Sequence, residues 1–391
     1  MRSDVIPISI LTGFLGSGKT TILGHLLRQR GFSRTAVIIN EFGEVGLDHE
    51  LIEASEDSFI ELKTGCLCCK IRTDLAQTLQ DLLQRRDDGK CSPFDRIVIE
   101  TSGLADPAPI LQTLMTDTNI AGRLVLGGVV ATVDTVTGAG TLQREDISQK
   151  QVALADKIVL TKLDLSGPAQ PALLDRLAEL NAGAAVMSAD RGKIDSQCLL
   201  SAGLYDSDAR SLDVNSWLAG ERHSHARHDG DIQTYAVVRN EPIRAVTLTL
   251  FLETLAEHCG ADLLRLKGVV NVAESPDRPA VIHGVQHVFH APAWLKRWPS
   301  DDRSSRIVFI TRRVPRRWVE ALFEAIAAEV ADVSVRRQVP RPDRRSGSIA
   351  ADQRGLTALP DVRCARHGNT RTWIKSAGVL PAASPRREHS R

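Results

Sequence analysis

From Val5 to about Met187, short and almost wholly apolar runs alternate with stretches whose apolar residues recur every three or four positions. The runs Val5–Leu11, Thr35–Asn40, Ser58–Leu62, Arg96–Glu100, Leu124–Val133, Lys157–Thr161 and Ala184–Ser188 predict strands covered on both faces, since a half-exposed strand would alternate apolar with polar residues. Between them, Thr20–Arg30, Arg72–Arg86, Pro107–Thr116 and Pro168–Asn181 carry the helical period, as in the stripe Leu75, Leu79, Leu82 and Leu83. This alternation predicts βαβ units, and so an α/β fold with a parallel sheet flanked by helices.

The pattern lapses into Asp, Ser, Gly, Arg and His, including His223, His225 and His228, and residues 206–231 read as a polar linker after a first domain of residues 1–205. Residues 232–335 predict a smaller C-terminal α+β domain. Its strands are Thr234–Val238, Gly268–Ala273, Ala280–Val285 and Arg306–Ile310, and its helices are Leu248–His258 and Arg316–Ala328. Residues 336–391 are rich in Arg, Pro and Ser, with too little spaced apolar content to offset the entropy of ordering, and read as a disordered basic tail.

Composition narrows the function classes. Of 391 residues, 42% are hydrophobic and 25% charged, the balance of an ordinary globular chain. The longest apolar segment, Leu124–Val133, falls short of the ~20 residues a bilayer requires, and no leader pattern opens the chain, so neither a membrane partner nor secretion is expected. Seven cysteines, three of them packed at Cys66, Cys68 and Cys69, do not form a disulfide framework and point to a reducing, cytoplasmic compartment. The net charge of +1 divides unevenly: the tail holds thirteen Arg and Lys against four Asp and Glu, +9, leaving −8 for the rest. Such a tail would neutralise nucleic-acid phosphates, but without a flanking recognition motif a solvated tail is the better reading, and no nucleic-acid partner is expected.

Gly13-Phe14-Leu15-Gly16-Ser17-Gly18-Lys19-Thr20 fits G-x-x-x-x-G-K-[ST], and it stands where that pattern has meaning, between a predicted strand and a predicted helix. The glycines let backbone N–H groups curl around phosphate oxygens, the helix N-terminus adds a favourable dipole, and Lys19 brings a charge to the β- and γ-phosphates. Gly13, Gly16, Ser17, Gly18, Lys19, Thr20 and Thr21 are the candidate phosphate-binding residues, with the Thr20 hydroxyl a ligand for Mg²⁺. A carboxylate belongs at the end of a neighbouring buried strand, and Glu100 provides it. A helix-capping role is the alternative for Glu100. Lys19, Thr20 and Glu100 form the candidate catalytic set, and Gly103–Pro107 would be the segment that senses the γ-phosphate.

Thr161-Lys162-Leu163-Asp164 follows the strand that ends in Thr161. Its aspartate can accept from the guanine N1 and N2 hydrogens while the lysine stem lies against the ring, whereas adenine would leave that carboxylate unpaired. GTP is therefore expected over ATP, with Ser188 at the end of the next strand close to the base. In Cys66-Leu67-Cys68-Cys69, up to three thiolates share one loop, and soft sulfur selects Zn²⁺ or another transition metal over Mg²⁺. Glu44 is the candidate fourth ligand, and buried small hydrophobes are the alternative for a single cysteine of the group.

These motifs resemble the CobW-type family of P-loop GTPases, which includes zinc metallochaperones. The resemblance is carried by Gly13–Thr20, Asn40-Glu41-Phe42-Gly43-Glu44-Val45-Gly46-Leu47-Asp48, Gly65–Cys69, Glu100–Pro107 and Thr161–Asp164. Tyr235 to about Ile326, with Arg265-Leu266-Lys267-Gly268, resembles the family's smaller domain. The resemblance implies GTP hydrolysis coupled to delivery of a transition metal, zinc first, to a client metalloprotein, with Cys66, Cys68 and Cys69 near the nucleotide. A metal sensor or buffer that uses nucleotide only as a ligand is the alternative, as is a cobalt or iron insertion accessory for cobalamin synthesis or nitrile hydratase. No glutamine or arginine is evidently poised for the attacking water, so turnover should be slow, with a client or a homodimer partner completing the site. The guanine motif departs from the family's commoner form by beginning with Thr161 rather than asparagine, and the tail has no counterpart.

Overall fold

The apolar runs of the N-terminal half pair, strand by strand, into one parallel sheet. The structure, a computed structural model, describes residues 5–40, 59–61, 68–120, 122–196, 199 and 231–338. The strands are β1 (Ile6–Gly13), β2 (Thr35–Asn40), β3 (Phe59–Glu61), β4 (Arg96–Thr101), β5 (Leu124–Asp134), β6 (Lys157–Thr161) and β7 (Ala185–Ser188), in the spatial order β3-β2-β4-β1-β5-β6-β7. Every pair among them is parallel. Helices cover the sheet: α1 (Lys19–Leu27), α2 (Cys68–Asp87), α3 (Ala108–Thr116), α4 (Gly138–Arg144), α5 (Asp146–Leu154), α6 (Leu163–Ser166) and α7 (Pro171–Asn181). Ile8, Ile10, Ile38, Ile97 and Ile99 pack under Leu75, Leu79, Leu82 and Leu83 of α2, while Leu11, Val37, Val98 and Val159 meet Ile22, Leu23 and Leu26 of α1. Successive strand residues thus serve opposite faces, which is why these runs are apolar throughout.

The order of the strands creates the cleft. β1 leads through α1 to β2 on one side of β4, whereas β4 leads through α3 to β5 on the far side of β1. Adjacent strands whose connections leave in opposite directions open a crevice at their carboxyl ends, where α/β sheets bind ligands.

A second sheet follows: β8 (Ile232–Arg239), β9 (Leu263–Val270), β10 (Ala280–Val285), β11 (Val288–Phe289), β12 (Ala293–Trp294) and β13 (Ser305–Arg312), ordered β11-β10-β9-β13-β8 with β12 beside β10. Its pairs are antiparallel. The helices α8 (Ala245–Cys259) and α9 (Arg316–Gln338) cover it through Phe251, Leu255, Val319 and Phe323. Several boundaries differ from expectation for physical reasons. The helix expected over Pro168–Asn181 begins at Pro171, whose ring suits the first turn of α7 but not a helix continued from upstream. β9 occupies Leu263–Val270 rather than Gly268–Ala273; it ends where Asn271 turns its N–H to the Ser305 hydroxyl at 2.9 Å. α9 runs to Gln338, past the boundary that composition places at residue 335, and residues 339–391 lie outside the described residues.

The two sheets meet through one ion cluster. Asp156, between α5 and β6, accepts from Arg265 Nη2 at 2.5 Å and from Lys267 Nζ, both on β9. Its other oxygen accepts from the Val129 N–H at 2.8 Å, where the β1–β5 register shifts. Around it, Ile158, Leu177 and Leu180 pack with Ile232, Leu264 and Ile310 of the second sheet. Desolvation alone would raise the Asp156 carboxyl, but the Arg265 and Lys267 charges overcome it and hold that carboxyl well below the usual carboxylate range. His283, opposite Lys267 in register, is shifted well below its ordinary value, first by desolvation and then by those same cations. A depressed carboxyl stabilises the fold fully above its unfolded value near 4 and loses that contribution as pH falls further. Asp156→Asn should therefore cost about 3 kcal/mol at pH 7, since it leaves two enclosed cations without their counter-charge, and the gap to wild type should narrow below pH ~4. Urea unfolding of both proteins across that range checks this; a gap independent of pH would contradict it.

Candidate functional site

β1 ends at Gly13 with φ +141°, and a Cβ there would lie 2.2 Å from Thr132 Oγ1, so only glycine lets the chain turn so close to β5. The loop then folds on itself, the Ser17 N–H donating to Phe14 O at 3.1 Å. Lys19 opens α1 with 6% exposure, and its ammonium donates to Phe14 O at 3.2 Å, so the loop's own backbone helps to hold the enclosed charge. Two residues brace the loop from behind. The Ser17 hydroxyl bonds Thr132 Oγ1 at 2.6 Å, and the Thr161 hydroxyl donates to Ser17 O at 2.8 Å. Both side chains are buried, and through these bonds Ser17 and Thr161 brace the loop.

At the end of the adjacent strand, Glu100 stands beside Leu11 in register and is 1% exposed. Its Oε1 accepts from the Thr20 hydroxyl at 2.8 Å, so Glu100 serves no helix cap through this contact. Hydroxyl and carboxylate are hard oxygen donors, the set Mg²⁺ takes alongside phosphate oxygens, and the pair fits that ion. Beyond Thr101, whose hydroxyl donates to Thr12 Oγ1 at 2.9 Å, the chain turns with the Ala105 N–H on Ser102 O at 3.0 Å. Gly103 in this turn is pressed onto the phosphate loop: a Cβ on it would lie 2.7 Å from Leu15 N.

The carboxyl ends of β6 and β7 lie on the same edge. Lys162 adopts a left-handed conformation, φ 60°, and its ammonium lies 3.9 Å from Asp134 Oδ2 at the end of β5. Asp134 also accepts from the N–H groups of Val136 and Thr137 at 3.0 and 2.6 Å, which fixes that loop. Asp164, on α6, keeps 30% of its side chain exposed, with Arg191 Nε 4.0 Å away. Ser188 closes β7 exposed and opposite Leu160 in register. Thr21, in the first turn of α1, is exposed behind the loop, its methyl beside Gly192.

Of the expected transition-metal ligands, Glu44 and Cys66 lie outside the described residues, and Cys68 and Cys69 are the first two residues of α2. Among the described residues no group of three or more His, Cys, Asp or Glu side chains is arranged to hold a metal. Sequence reasoning missed Asp134, Thr132, Gln151 and Asp156. Arg265 and Lys267, two residues apart on one face of a strand, were the available signal that an enclosed carboxylate faces them.

A turning strand, a glycine loop, an enclosed lysine and a hydroxyl–carboxylate pair at a sheet crevice define a P-loop nucleotide-binding protein. A family model described as the CobW/HypB/UreG nucleotide-binding domain matches residues 7–188, and one described as the cobalamin synthesis protein CobW C-terminal domain matches residues 232–327. The zinc chaperone YjiA of Escherichia coli is 36% identical over 322 residues, 82% of this chain and 98% of that relative. The zinc chaperone CobW of Pseudomonas aeruginosa is 32% identical over 339 residues, 78% of this chain and 87% of that one. The crystal structure of Zn(II)-bound YjiA GTPase from E. coli superposes with a TM-score of 0.62 at 31% identity, covering 82% of this chain and 99% of that chain. The chain belongs to the CobW/HypB/UreG family. No helix among the described residues is long and apolar enough to cross a membrane.

The packing at Gly13 makes a stability prediction. Gly13→Ala should cost at least about 2 kcal/mol, strain and clash together, whereas Gly89→Ala, at φ +67° and in open space, should cost about 1 kcal/mol. Urea denaturation of the two variants decides it, and equal losses would mean that β5 yields at Thr132.

Proposed function

We propose that this chain binds GTP with Mg²⁺ at the β1–β4 crevice, hydrolyses it, and couples hydrolysis to delivery of zinc to a client metalloprotein. The single observation that supports this most is the Thr20–Glu100 pair at 2.8 Å beside the enclosed Lys19. Phosphoryl transfer asks for charge neutralisation and alignment more than covalent chemistry, and these are the groups for it. Lys19 would leave Phe14 O for the β- and γ-phosphate oxygens, and the amides of Gly13–Thr20 would cradle the phosphates. Thr20 and Glu100 would hold Mg²⁺, which when bound supplies positive charge at the β- and γ-oxygens. Water then attacks the γ-phosphorus, the bond to the β–γ bridging oxygen breaks, and GDP and phosphate leave. Asp164 supplies guanine selectivity from its partly exposed position on α6, with Lys162 steadied by Asp134.

Zinc is the cargo. Its proposed ligands are Cys66, Cys68 and Cys69, with Glu44 as the fourth, and the names of the relatives support zinc as the metal. The cysteine segment leads through α2 to β4 at the crevice, and Asn40 ends β2, the strand next to β4. A different placement of these segments with GTP and with GDP would change zinc affinity, and linkage requires zinc to change the GTP/GDP preference by the same factor.

Lys19→Ala should lower nucleotide affinity by roughly 100-fold or more and abolish turnover while leaving zinc binding without nucleotide intact. Cys68→Ser should do the reverse. Turnover assays and competition titrations with a zinc chelator measure both, and equal zinc affinity in the GTP and GDP states would defeat the coupling. Asp164→Ala should reduce the preference for GTP over ATP by at least about tenfold with little loss of stability, since this side chain is partly exposed.

A further inference from the structure

Gln151, on α5, is 1% exposed and lies far from every motif in the sequence. Its amide nitrogen donates to Gly103 O and to Ala105 O, both at 3.1 Å. One side chain thus holds two carbonyls of the turn whose Gly103 is pressed against Leu15 of the phosphate loop. Because each peptide is planar and trans, fixing those carbonyls toward α5 turns the N–H groups of Leu104 and Asp106 the other way. The neighbouring Lys150 adds an ion pair to Asp106 at 3.0 Å, and Asp106 in turn accepts from the Ala108 N–H at the start of α3. The whole segment from Gly103 to α3 is therefore fastened to a single helix.

That helix is itself anchored outside the nucleotide domain. Asp146 at its start lies 3.7 Å from Arg312 of β13, and Asp156 just after its end carries the ion cluster with Arg265 and Lys267 of β9. Gln151 Oε1, by contrast, is enclosed and has no partner among the described residues. A buried polar atom without a partner calls for a physical reason, and this one sits on the side chain that holds the turn beside the phosphate loop.

We propose that Gln151, held on α5, is a positioning residue for the γ-phosphate-sensing turn. The inference rests on the GTPase reading above. With Gln151 in place, the turn is held where Gly103 borders the phosphate loop, which favours the triphosphate state; GDP, lacking the γ-phosphate, makes no demand on the turn. Loss of the amide should therefore discriminate between the nucleotides rather than weaken both.

The test uses the full chain, a fluorescent GDP and a non-hydrolysable GTP analogue, with Gln151→Leu and Lys150→Ala. Gln151→Leu should bind GDP within twofold of wild type, bind the analogue at least fivefold more weakly, and lose at least tenfold in kcat. Lys150→Ala, partly exposed and safe for folding, should shift the analogue/GDP ratio in the same direction by a smaller factor, and it decides the matter if Gln151→Leu does not fold. Equal weakening of both nucleotides, or an unchanged ratio and kcat, while wild type hydrolyses GTP, overturns the positioning role alone. A wild-type protein without GTP affinity would overturn the reading beneath it and this inference with it.

Discussion

Two oppositely charged side chains, Lys19 at the start of α1 and Glu100 near the end of β4, are enclosed beside the β1–β4 crevice, and much of the bonding there serves to satisfy them. An ammonium or carboxylate taken out of water without partners is costly enough to unfold a marginal domain. The described contacts offset that cost with the phosphate loop's own carbonyl and the Thr20 hydroxyl. A phosphate and a hard cation would replace these with stronger, charge-assisted partners.

The same logic links the crevice to the rest of the molecule. Ser17, Thr132 and Thr161 tie the loop to the ends of β5 and β6, so the glycine loop and the carboxyl end of β6 form one braced edge. Gln151 ties the adjacent turn to α5, and Asp156 ties α5 to Arg265 and Lys267. Polar groups enclosed between layers are the contacts that fix one arrangement against alternatives, because each has few partners it can exchange. The second sheet is therefore bonded to the residues at both ends of α5, the helix behind this turn.

Much of this was legible in the chain. The seven parallel strands fell on apolar runs; in β1, β4, β5 and β6 burial on both faces leaves little room for polar alternation, whereas β7 is largely exposed, and the glycine loop declared itself by its place between β1 and α1. What could not be read were features that depend on distant partners. β9 looked too short because Arg265 and Lys267 resemble surface residues until Asp156 is placed beneath them. α4 and α5 were missed because Gly138 and Gly140 weaken the helical pattern and α5 mixes Gln149, Lys150 and Gln151 into a stripe that is apolar only at its end. Nor do the motifs reveal that the Ser17 hydroxyl bonds Thr132 and the Thr161 hydroxyl bonds the Ser17 carbonyl, since those partners lie far along the chain. Glu44 and Cys66 lie outside the described residues, so the metal ligands rest on the motif and on kinship.

The most direct measurement of the central claim is a calorimetric titration of the purified chain with GTP, GDP and ATP, in magnesium and in magnesium-free buffer. A crevice organised by Lys19, Thr20 and Glu100 predicts GTP bound at least tenfold more tightly than ATP, and GTP affinity that drops at least tenfold when magnesium is removed. GTP and ATP bound alike, or GTP binding indifferent to magnesium, would contradict it.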